Sequence, residues 1–184
     1  MKIIQTLLVL MLVLLASCST PPEDVPTASG VDVQAGDIPT SEISIDPAKS
    51  SFEFEGYGVG KSHPGSFDAM QGVLLYKDGK LMGAKGTIHA ASVNTGVSGL
   101  DIHLKTEDFF HVEMYPEISF ESTSLSGDTM TGKLSFHGVT NSLSFPARVQ
   151  EDSISSEFLL NMSLYGVGYK GVNELVKIAF VVAK

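Results

Sequence analysis

From residue 41 to the end of the chain, apolar side chains recur at every second position, and turn residues break the pattern at short intervals. In extended chain that period puts alternate side chains on opposite faces, so the sequence dictates a series of antiparallel strands, each with one apolar and one polar face. Phe52 and Phe54 alternate with Glu53 and Glu55, and Ala84, Gly86, Ile88 and Ala90 with Lys85, Thr87 and His89. Phe67, Ala69, Val73 and Leu75 are read on one face of a segment closed by the hairpin signal Lys77-Asp78-Gly79-Lys80. Ile118 and Phe120 follow. Ser126-Gly127-Asp128 turns the chain into Met130, Leu134 and Phe136, and 138–141 turns it into Leu143, Phe145, Ala147 and Val149. Phe158, Leu160 and Met162, then Val176, Ile178, Phe180 and Val182, complete seven or eight strands. Pro146 marks an edge position or a bulge. Between 98 and 116 the alternation stops. Leu100 and Leu104 are four apart and Thr106-Glu107-Asp108 can open a second turn, so a short helical insert is expected there.

Strands of this kind form either a sandwich with a filled core or a barrel, and the period does not separate the two. Small residues on the apolar face, Ala84, Gly86, Ala90, Gly132 and Gly138, favour a barrel with internal space.

The first forty residues are of another kind. Lys2 is followed by an apolar run over 3–15, interrupted at Gln5 and Thr6, and then by Leu15-Ala16-Ser17-Cys18. The run is too short for a bilayer span, which needs about 20 apolar residues, and the whole resembles a bacterial lipoprotein signal. The resemblance implies removal of residues 1–17 and acylation of Cys18, which is the only cysteine and therefore excludes an internal disulfide. Residues 18–40 carry Pro21, Pro22, Pro26 and Pro39 among small and acidic residues and read as a disordered tether. Residues 41–184 remain as one domain. A net charge of -9 argues against nucleic acid and against electrostatic docking on anionic lipid.

Two segments carry a further resemblance. Asp101-Ile102-His103-Leu104-Lys105-Thr106-Glu107-Asp108-Phe109-Phe110, with Tyr115-Pro116 and a strand after it, and Gly132-Lys133-Leu134-Ser135-Phe136-His137-Gly138-Val139-Thr140-Asn141 are similar to segments of the YceI-like family. The similarity runs from about residue 44 to residue 184. It implies an all-β fold, an antiparallel lipocalin-like β-barrel of about eight strands with a short helical insert. It also implies a long isoprenoid or other acyl-like chain held in the lumen, and no catalysis. Two features depart from the family pattern: Met162 stands where an arginine is common, and the chain has no tryptophan.

The residues expected to line the lumen are Phe52, Phe54, Phe67, Ile88, Phe120, Leu134, Phe136, Phe145, Phe158, Ile178 and Phe180, with Phe109 and Phe110 capping one end. Of the five histidines, His63 follows Gly58 and Gly60 and precedes Pro64-Gly65, so it is placed on a mobile loop at the mouth, as the candidate for a ligand headgroup. His89 and His137 are expected on outer faces in solvent. His103 and His111 lie in the insert, where His103 is expected to bond a carboxylate or carbonyl and hold the insert on the barrel. Neither His89 nor His137 has a partner at metal-ligand spacing, a structural role is read for the insert histidines beside Asp101, Glu107 and Asp108, and no nucleophile motif is present, so neither a metal nor a cofactor is expected.

The expected function is an envelope lipoprotein, anchored in the outer membrane and facing the periplasm. It binds an apolar lipid (a polyisoprenoid, quinone-like or fatty-acyl chain) as carrier or reservoir. The alternatives are an interaction module for envelope proteins built on a filled barrel, and an enzyme using His63 or the Asp101/His103 pair.

Overall fold

A computed structural model describes residues 19–31 and 38–184; the expected signal segment 1–17, Cys18 and residues 32–37 lie outside the described residues. Among the described residues thirteen strands occur in the order β1 (Ser29–Gly30), β2 (Ser41–Ser44), β3 (Ser51–Gly58), β4 (Lys61–Phe67), β5 (Met70–Lys77), β6 (Lys80–His89), β7 (Val93–Asn94), β8 (Glu117–Ser126), β9 (Thr129–Phe136), β10 (Val139–Pro146), β11 (Arg148–Val149), β12 (Ser153–Asn161) and β13 (Leu175–Ala183). A helix, α1 (Ser98–Leu104), lies between β7 and β8, and a 3-10 turn (Met162–Tyr165) follows β12. The strands form two antiparallel sheets, ordered β1-β10-β9-β8-β6-β5-β2 and β11-β12-β13-β3-β4-β7. The sheets wrap around one apolar core but are not joined into a continuous barrel ladder.

Most of the alternation read from sequence sets the inner face: Ile88, Met130, Phe136, Leu143, Phe145, Phe158 and Ile178 are buried in the core. The turns follow their residue chemistry. Asp78 and Gly79 both have positive φ, 50° and 76°, which is the type I′ geometry that Asp-Gly favours between two strands. His137 and Gly138 repeat it between Phe136 and Val139.

Three stretches depart from the sequence reading. The region around His63 is not a loop: β4 pairs with β3 in the register Phe54 to Gly65, Glu55 to Pro64 and Gly56 to His63. The other edge of β4 is paired only at Ser66 and Phe67, so Pro64, which has no N–H to give, breaks no ladder there. In β5 the inward residues are Leu74 and Tyr76, not Val73 and Leu75. The chain changes sheet at Asp68-Ala69, whose N–H groups bond the carbonyl and hydroxyl of Ser92, and this corner shifts the pleat by one residue.

The third departure is in the expected tether. Part of it, residues 19–31, is packed on the domain. Residues 26–31 bond both β10 and β12. Ser29 and Gly30 pair antiparallel with Ser144 and Leu143. Thr27 forms a parallel bridge to Leu159, in which Ala28 N–H donates to the Leu159 carbonyl (2.8 Å) and Leu159 N–H to that of Pro26 (2.7 Å). Two open strand edges supply backbone partners, so the segment docks without needing large apolar side chains.

Candidate functional site

The ends of the molecule differ. At one end the β5–β6, β8–β9 and β11–β12 turns close over Leu74, Tyr76 and Ile154. At the other end the strands enclose a cavity of about 410 Å³, within the range of small-molecule sites. Phe52 and Phe54 of β3, Leu134 and Phe136 of β9 and Val176 and Ile178 of β13 form its walls, and Leu160 and Met162 contribute where β12 ends. Leu100, His103 and Leu104 of α1, with Phe109 and Phe110, lie across it. A second chamber of about 120 Å³ lies deeper and shares Phe52, Ile118, Leu134, Leu160 and Ile178 with the first.

All thirteen apolar residues singled out from sequence line one chamber or the other. Phe52, Phe54, Phe67, Phe109, Phe110, Leu134, Phe136 and Ile178 line the upper one. Ile88, Phe120, Phe145, Phe158 and Phe180 line the deeper one. Their rings form a continuous apolar surface. Phe110 bridges Phe67 (5.4 Å between centroids) and Phe136 (5.8 Å), and Phe67 meets Phe54 (5.5 Å) and Phe52 (5.9 Å). Below, Phe145 stacks on Phe158 at 4.5 Å. Small inner residues do not all leave open space. The Phe120 ring occupies the place a side chain at Gly132 would take, and Tyr115 does the same at Gly138. Gly56 differs: a Cβ built there meets nothing within 4 Å.

No polar or charged residue is buried among the described residues. Polar groups of the cavity gather at the mouth: His63, Lys61 and His103 together with Lys170, Asn173 and Glu174 of the β12–β13 connection. Because a buried charge without a partner costs several kcal/mol, an interior of this kind suits apolar groups and disfavours charged ones. Sequence periodicity missed the rim wall of residues 167–174, which has no alternation, although Val167, Tyr169 and Val172 in a glycine-rich stretch between two strands were a visible signal.

His103 of the insert and His137 do not make their expected contacts. His103 makes edge contacts with Phe109 (5.0 Å) and Tyr169 (5.6 Å), so rings rather than a carboxylate hold it. Asp101 is engaged elsewhere, accepting from the Thr95 hydroxyl (2.6 Å) and N–H (2.8 Å), bonds that hold its carboxyl below the ordinary value. Residues two apart on a helix do not face each other, which removes the structural basis for an Asp101/His103 acid–base pair. His137 is not in solvent. Its ring packs on Tyr115 (4.9 Å) and His111 (6.1 Å), Nδ1 donates to the Tyr165 carbonyl (3.2 Å), and Nε2 is buried without a hydrogen-bond partner. This cluster pins the insert to the β9–β10 turn and the 3-10 turn. Among the described residues no group of three or more His, Cys, Asp or Glu is placed to hold a metal ion.

Comparison with known proteins agrees with this architecture. A family model described as YceI-like domain matches residues 44–183. A UPF0312 protein of Staphylococcus aureus is 34% identical over 110 residues, 57% of this chain and 63% of that protein, so the match spans less than two thirds of the relative's length. Among solved structures, BcnA of Burkholderia cenocepacia superposes with a TM-score of 0.69 at 22% identity, covering 76% of this chain and 99% of that one. A polyisoprenoid binding domain from Saccharophagus degradans, implicated in plant cell wall breakdown, gives 0.60 at 17% identity over 76% and 95% of the two chains. The YceI protein of Campylobacter jejuni gives 0.52 at 21% identity, over 65% and 84%. These likenesses concern the fold, and the family match covers nearly the whole of the described β-domain: the chain belongs to the YceI-like family.

Proposed function

We propose that this protein holds one long apolar lipid, a polyisoprenoid, quinone-like or fatty-acyl chain, in the two-chamber cavity as a non-catalytic carrier or reservoir. The observation that carries the reading is a cavity of about 410 Å³, continued by a deeper one, both lined predominantly by apolar side chains, with the polar groups of the larger one at its mouth. Membership of a binding-domain family supports it, as does the polyisoprenoid binding domain among the structural relatives. Open internal space favours a carrier over an interaction module with a filled barrel. The lipoprotein-type segment ending in Cys18 supports attachment to the bacterial envelope, at the outer membrane on its periplasmic side.

A chain-length series tests this. Binding of fatty acids and prenyl alcohols strengthens about fourfold per added methylene, the equivalent of ~0.8 kcal/mol, until the cavity is full, and then levels off. Exchanging carboxylate for alcohol, or His63→Ala, changes affinity by less than about tenfold, because these groups meet water at the rim. Affinity that ignores chain length, or that vanishes with one headgroup, contradicts the proposal.

A further inference from the structure

Exposed apolar side chains are unevenly distributed on this molecule. Of the seven large ones at least 45% exposed among the described residues, six, Val59, Val97, Ile102, Met114, Leu164 and Tyr169, belong to connections at the open end, and the seventh, Ile38, precedes β2 near the other end. Val59 and Tyr169 line the mouth themselves. Ile102 lies on α1 beside the lining residues His103 and Leu104, and Leu164 on the 3-10 turn beside Met162. Met114 belongs to the segment that packs on the β9–β10 turn. Both ends carry charge, Lys77, Asp78, Lys80, Glu151 and Asp152 at the closed end and Glu107, Asp108 and Glu113 in the insert, so what distinguishes the open end is its exposed apolar side chains. Scattered surface hydrophobics need no explanation, but their concentration around one opening does.

The path of the N-terminal segment supplies a second observation. Ser19 N–H donates to the carbonyl of Gly58 (3.1 Å), at the tip of the β3–β4 hairpin and on the cavity rim. The residue that follows Cys18 in sequence is therefore held at the open end, not at the closed one.

We propose that the open end is a membrane-docking surface. The apolar collar inserts into the interfacial region of a bilayer, so that the mouth faces the lipid and a hydrophobic chain passes between membrane and cavity without crossing water. This rests on the lipid-holding reading above and adds the orientation and the partner surface. Burial of apolar area drives the contact, so it does not require anionic lipid and is insensitive to salt.

The full chain in phosphatidylcholine vesicles tests the orientation. An environment-sensitive fluorophore is placed on a cysteine introduced by Ile102→Cys or Leu164→Cys, or at the closed end by Lys80→Cys, with the parent chain as background. The first two labels are expected to shift to the blue and to be quenched by brominated lipid, and the third is not. Labels equally exposed to water at both ends overturn the docking. In a second arm, the Ile102→Glu, Leu164→Glu double variant, whose altered residues do not line the cavity, keeps its affinity for an added prenyl probe. Its rate of probe uptake from vesicles falls by about tenfold or more. An unchanged rate overturns the docking while leaving the lipid-holding reading intact. Labels in the bilayer with no probe bound by any variant support the docking and overturn the cavity reading.

Discussion

Gly56→Phe leaves the protein folded and weakens binding of a long apolar probe by about a hundredfold. Gly56 lies within β3 in the same pleat phase as Phe52 and Phe54, opposite His63, and its missing side chain points into open cavity. Its φ is not in the positive range that would require glycine. An aromatic residue in extended chain removes the ~0.5–1 kcal/mol penalty of a strand glycine, so the substitution does not work through instability. The ring takes the space of about four methylenes, and at ~0.8 kcal/mol each the loss is ~3 kcal/mol of binding. Probe titration and thermal melting of the same preparation check the result. Wild-type affinity in Gly56→Phe places the ligand elsewhere, and a loss of binding that tracks a fall in Tm assigns the effect to folding.

Tyr165→Ala costs ~3–5 kcal/mol of stability, a fall in Tm on the order of 10 °C. Tyr165 is 1% exposed and is one of the largest fully buried side chains. Its ring packs on Phe136 at 5.7 Å, and its carbonyl receives the His137 bond that ties the 3-10 turn to the β9–β10 turn. Truncation leaves a cavity where the mouth connection is anchored, whereas Tyr165→Phe keeps the packing. The phenol also gives a pH signature. Burial raises it from 10 to about 12, and Tyr57 is raised to about 12 by burial and by the Glu55 carboxylate. Both values are higher in the folded state, so their stabilisation is fully present below pH 10 and is lost as pH rises through about 12. Denaturant melts from pH 9 upward show a steeper alkaline loss for wild type than for Tyr165→Phe. A loss below ~1 kcal/mol in Tyr165→Ala at neutral pH contradicts the anchoring role.

The period-two pattern carried much of this architecture because one face of each strand meets the core, and a slip of one residue would expose it. It located the inner faces of β3, β6, β8, β9, β10, β12 and β13. It failed in β5, where a corner made by Asp68, Ala69 and Ser92 resets the pleat, a hydrogen-bonding event with no periodic signature. His63 and Pro64 read as loop because Pro and Gly usually break strands; at a sparsely paired edge they do not. Residues 26–31 read as tether because composition reports on side chains, whereas their docking runs through backbone groups offered by β10 and β12. The apolar residues that line the cavity were legible as inner-face residues. What periodicity left open was whether those phenylalanines touch one another or line a space, since both demand the same apolar face. His137 was misplaced for a related reason: alternation ends at the turn that contains it, and the left-handed backbone there directs the ring toward Tyr115 and Tyr165.

Native mass spectrometry of the purified full chain, before and after extraction with organic solvent, tests the central claim most directly. The account predicts one apolar molecule per chain, released by solvent and replaced when a prenyl or fatty-acyl lipid is added back. A chain that carries nothing and takes up neither class of lipid contradicts it, and would leave the cavity without a hydrocarbon ligand.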